Sequence, residues 1–67
     1  MKEIISAPEA ARFLGIQPKV VRFNLEKGIW RFGVVIPPKV TGKKENTYHV
    51  YARQMCEYFN IPFPEGA

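Results

Sequence analysis

"SAPEAARFLGIQPKVVRFNLEKG", residues 6–28, is the stretch on which the fold turns, because it writes two short helices and the joint between them. Ser6 and Glu9 stand three apart in a capping box: the serine side chain accepts from the Glu9 N–H while the glutamate reaches back to the serine N–H. A helix starts there, with Ala10, Phe13 and Leu14 at i, i+3, i+4, and Gly15 stands where the left-handed residue after a helix belongs. Gln17 then precedes Pro18, and a proline at the first helical position sacrifices no internal hydrogen bond. The second helix is expected over about Pro18–Lys27, ending at Gly28. Val21 and Leu25 form its inner face and Lys19, Arg22 and Glu26 turn outward. Phe23 fits either face from the pattern alone.

Working outward, "IWRFGVVI" (29–36) alternates, which predicts a strand with Trp30, Phe32, Val34 and Ile36 on one face and Arg31 and Gly33 on the other. "TYHVY" (47–51) is its expected partner, with Tyr48 and Val50 inward and Thr47 and His49 outward. Pro37-Pro38 ends the first strand, and residues 39–46 make a loop holding Lys39, Lys43 and Lys44. A last helix is expected from about Ala52 to Asn60, with Met55, Cys56 and Phe59 at helical spacing, before Pro62 and Pro64 forbid its continuation. Residues 1–5 read as a lead-in and 60–67 as an extended tail. The whole, residues 1–67, reads as one α+β domain: two N-terminal helices, a two-stranded antiparallel wing and a closing helix.

Composition narrows the function classes. The chain has 67 residues and is 46% hydrophobic, with a net charge of +4. A chain this short buries about 60% of its unfolded surface, which leaves no room for a deep catalytic cleft. It has no aspartate, one histidine and one cysteine, so a metal cluster, a Ser-His-Asp arrangement or a paired-carboxylate site has no obvious parts. No enzyme, no metal and no cofactor is expected. Cys56 reads as a core filler in a reducing cytosol. No apolar run reaches membrane-spanning length and no signal peptide opens the chain, so a cytoplasmic location is expected.

The charge is unevenly placed. Residues 17–44 carry seven Lys and Arg against Glu26 alone, whereas residues 45–67 carry a net −2. Such a block is the footprint of a polyanion partner. Two helices joined by "GIQ" form a helix-turn-helix, whose second helix suits a DNA major groove. Gln17, Lys19, Val20, Arg22 and Phe23 are then the candidates for base edges, with Lys27 at the helix end. On the wing, Arg31, Lys39, Thr41, Lys43, Lys44 and His49 are the candidate backbone contacts. His49 also reads as a plain surface residue, and Trp30 as core. RNA fits less well, because no exposed aromatic platform is legible.

In this order of elements the chain resembles the excisionase-type winged helix-turn-helix domains related to the MerR regulators, over about residues 4–59. "APEAARFLGI" is similar to the family's opening helix, "KVVRFNLEKGIW" to its recognition helix with terminal glycine and hydrophobic follower, and "TYHVY" with the following helix to its closing elements. The resemblance implies a phage or mobile-element protein whose copies bind side by side on double-stranded DNA, bend it and recruit an integrase or other recombinase. A MerR-like transcription regulator would need a long dimerising helix, for which the sequence leaves no length. Two departures stand out. Tyr51-Ala52 supplies no cap to the last helix, and Tyr58, Phe59, Ile61 and Phe63 add aromatic and apolar bulk that the family pattern does not require. Those four are the candidate partner surface, or else they complete the core. A different class stays open: a small phage-type inhibitor that binds a host protein through this tail, with its lysines facing an acidic partner.

Overall fold

The computed structural model describes residues 1–64 and gives seven elements in chain order. They are β1 (Ile4–Ile5), α1 (Ala7–Leu14), α2 (Pro18–Glu26), β2 (Gly33–Ile36), α3 (Pro38–Thr41), β3 (Thr47–Tyr51) and α4 (Ala52–Tyr58). The class is α+β, with four helices and a three-stranded antiparallel sheet in the order β1-β3-β2.

The capping box forms as the sequence predicts: the Glu9 N–H donates to Ser6 Oγ at 3.2 Å and the Ser6 N–H donates to Glu9 Oε1 at 3.0 Å. Gly15 takes φ 74°, and the Ile16 N–H reaches Ala11 O at 3.0 Å. Only a residue tolerant of positive φ turns the chain there within so few residues. α2 closes in the same way: Gly28 adopts φ 72° while the Gly28 and Ile29 N–H groups donate to Leu25 O and Asn24 O at 3.2 and 3.0 Å. The helix ends at Glu26, one residue short of the expected end, with Lys27 as its C-cap.

Three expectations are corrected. The sheet has a third strand, because Ile4 and Ile5 pair with Tyr51 and Val50, so the lead-in is structural and β3 is central. The residues expected to form a plain loop after Pro37-Pro38 include the single turn α3, closed by Gly42 at φ 78° with its N–H on Pro38 O at 2.7 Å. The first wing strand is shorter than expected and its faces are reversed. It begins at Gly33, whose partner is Val50, and Val35 opposite Tyr48 packs on the core while Val34 opposite His49 is exposed. A side-chain period of two makes a one-residue shift reverse both faces. Phe32 is nonetheless buried, because it enters the core from outside the strand with its ring 5.3 Å from that of Trp30.

The core lies between the inner face of the sheet and α1, α2 and α4. Ala7, Ala10 and Ala11 bring α1 close, Val21 and Leu25 come from α2, and Met55 and Cys56 from α4, all buried. Ala52, at the unassisted start of α4, gives its N–H to Glu3 O at 2.8 Å, so the missing cap is replaced by backbone from the β1 edge. α4 ends at Tyr58, and Asn60 turns the chain at φ 57°. Beyond the helix, Phe59, Ile61 and Phe63 are partly buried against the core. The N-terminal ammonium donates to Pro64 O at 3.0 Å and the Arg53 guanidinium lies 4.2 Å from the Phe63 ring centre. The tail as described is therefore a cover on the core. Residues 65–67, the end of the expected tail, lie outside the described residues.

Candidate nucleic-acid interface

α2 presents three kinds of surface, fixed by the 100° step of a helix. Val21 and Leu25 face the core. On the opposite side Lys19, Val20, Phe23 and Lys27 are exposed, and Phe23 keeps 52% of its surface in water. That answers the ambiguity of Phe23, which does not join the core. The Lys27 ammonium lies 5.8 Å from its ring centre. Ile16 is exposed in the turn before α2. Gln17 is exposed at the N-cap and makes no side-chain capping bond. Pro18 has no N–H, and the Val20 N–H returns to Gln17 O at 3.0 Å, which reduces what the helix N-terminus offers an anion.

The third surface is the flank toward the β2–β3 connection. Arg22, half-buried, lines a cleft of about 590 Å³ together with Lys43, Lys44, Asn46 and Tyr48, and with Ser6 at the start of α1. Three cations from two places in the sequence thus share one concavity. Glu45 lines it as well. The connection is shaped by Thr41, whose Oγ1 accepts from the Lys43 N–H at 3.2 Å.

The cleft is tied together by a contact that the sequence reading missed. The Tyr48 hydroxyl donates to the Glu26 carboxylate, and Asn46 Nδ2 donates to the same hydroxyl at 3.4 Å. Burial, and then the bond to Glu26, hold the Tyr48 phenol above its ordinary value of 10.0. Periodicity placed Tyr48 inward and Glu26 outward, and both hold in part. A tyrosine has an apolar ring for the core and a hydroxyl that reaches out from it. The signal was available in the tyrosine itself but not in any spacing.

The remaining candidates separate. Arg31 precedes β2 rather than lying in it, and it borders a groove formed with Phe32, Gln54, Glu57 and Tyr58, away from the cations of the cleft. Lys39 and Thr41 are exposed on α3. His49 is half-buried on the outer sheet face opposite Val34. Of the four residues expected to offer a partner surface, Tyr58 alone is exposed, at 58%, and its ring sits 4.8 Å from that of Phe59. Phe59, Ile61 and Phe63 are engaged with the core, which withdraws most of that surface.

Among the described residues no group of His, Cys, Asp and Glu is arranged to hold a metal ion. No helix among them is long and apolar enough to cross a membrane. Comparison with protein-family models, with curated proteins and with solved structures finds no match for this chain.

Proposed function

We propose that the chain is a sequence-specific double-stranded DNA-binding protein of winged helix-turn-helix type. In this reading α2 enters the major groove, and the connection carrying Lys43 and Lys44 acts as a wing along the backbone. The observation that carries it is the outer face of α2: Val20 and Phe23 stay exposed between Lys19 and Lys27 on an element whose other face is committed to the core. Cations beside an apolar pair suit a groove that offers guanine acceptors and thymine methyl groups. One module of this size covers roughly 600–1,000 Å² of DNA, so several copies acting together on adjacent sites supply the affinity. An excisionase-like role, in which such copies bend DNA and engage a recombinase, is the form of the proposal closest to the family resemblance; a small phage or mobile-element regulator is its neighbour.

Inhibition of a host protein is the second reading. The exposed Tyr58 beside Phe32 is what favours it, but the burial of Phe59, Ile61 and Phe63 leaves it a small anchor.

Titrating salt against duplex binding tests the proposal. With about five phosphates neutralised, log affinity falls against log salt with a slope of roughly −4 to −5. A flat salt response, or no duplex binding at low salt, removes the DNA reading and promotes the second one.

A further inference from the structure

We propose that the cleft between α2 and the β2–β3 connection is a clamp for one phosphodiester group of the duplex backbone, with Arg22 as a phosphate contact and not a reader of bases. The inference rests on the DNA-binding reading above and assigns to Arg22 a role different from the one its place in a recognition helix suggests.

Position is the first argument. Arg22 follows the buried Val21, and it is half-buried on the flank of α2, whereas Phe23 is the exposed crest. A side chain on the flank is aimed at the groove wall, where the phosphates run, when the crest points at the bases.

Charge is the second. Among the described residues, the side chains of Arg22, Lys43 and Lys44 have no hydrogen-bond or ion-pair partner. Glu26, one turn after Arg22, is the acid that helical spacing would pair with it. Tyr48 holds that carboxylate instead. Glu45 is the one acid in the lining, against three cations, so the lining keeps a net excess of positive charge. Three like charges converging on one concavity repel one another until an anion lies among them. A guanidinium paired with ammonium groups matches phosphate oxygens in geometry as well as sign.

The test compares the wild type, Arg22→Ala, Lys43→Ala with Lys44→Ala, and the triple variant, each titrated with salt on a preferred duplex and on a scrambled one. Arg22→Ala is expected to lower affinity for both duplexes by the same factor and to reduce the salt slope by about 1. In the triple variant, removing Arg22 should cost less than it does alone, because the three side chains share one phosphate. Arg22→Lys retains the charge and should keep most of the slope; it serves as the folding-neutral comparison should Arg22→Ala melt early. A loss at least about 10-fold larger on the preferred duplex, the size of one good base contact, would overturn the clamp in favour of base reading. Additive losses in the triple variant would overturn the shared phosphate. Wild-type protein that binds neither duplex defeats the DNA reading itself, a result distinct from either of these.

Discussion

Gly33 shows how one missing side chain sets the geometry around it. A Cβ there would stand 2.6 Å from the His49 carbonyl oxygen and 3.1 Å from Leu25 Cδ2. The glycine therefore lets α2 rest directly on the β2–β3 ladder, and α2 carries the candidate base-reading face. Because the closest clash is with backbone of the central strand, the neighbour cannot swing aside. Gly33→Ala should cost about 1–3 kcal/mol by overpacking, and each kcal/mol lowers the melting temperature of a domain this small by about 4–8 °C. Val34→Ala, one residue along but on the exposed face, should melt close to wild type. Equal melting of the two variants would mean that the close approach at Gly33 is not what spaces α2 from the sheet.

Among the elements, α1 was the most legible and β2 the least, and the physical reason is different for each. The start and stop of α1 depend on local hydrogen bonds between residues three to five apart, which spacing exposes directly. The same holds for the glycine that ends α2. The phase of β2 depends instead on where the chain leaves the aromatic cluster of Trp30, Phe32 and Phe59 and joins the ladder, a tertiary event to which alternation is blind. β1 was invisible for a related reason, since two residues make no pattern and their strand exists only because β3 has a free edge. The site divides along the same line: the outward Lys19 and Glu26 of α2 followed from periodicity, which left Phe23 open, whereas the cleft joining Arg22 to Lys43 and Lys44, and the Tyr48 contact beneath it, arise from distant segments meeting. The locally written α1 gives a pH test. Bonds from Ser6, its backbone N–H first, hold the Glu9 carboxyl below its ordinary value of 4.5. A carboxyl depressed by folding adds stability that is present above the unfolded value and is lost as pH falls through the folded one. Wild-type melting temperature should therefore drop between about pH 5 and pH 3 more steeply than that of Glu9→Gln, which keeps a neutral capping bond. Parallel curves for the two proteins would show that the capping carboxylate does not contribute.

At the scale of the molecule, the small core is extended by its ends. Met1 and the segment Phe59 to Phe63 lie against it, and the N-terminal ammonium meets Pro64. Large apolar side chains still stay in water at several places, Val40, Tyr58, Ile29 and Ile4 among them, and Val20 and Phe23 are the pair on the outer face of α2, whose flank carries the basic cleft. We propose that this outer face discriminates between DNA sequences while the cleft holds the backbone. This discrimination is tested most directly by the specificity ratio, the affinity for a selected duplex divided by that for a scrambled one, measured at a single salt concentration for wild type and for Lys19→Ala with Phe23→Ala. Both side chains are exposed, so the variant should fold normally and retain salt-dependent binding to the scrambled duplex. The ratio should fall by about 10-fold or more, the equivalent of losing one or two base contacts at about 1–3 kcal/mol each. A variant that keeps the wild-type ratio would show that the outer face of α2 does not read DNA sequence.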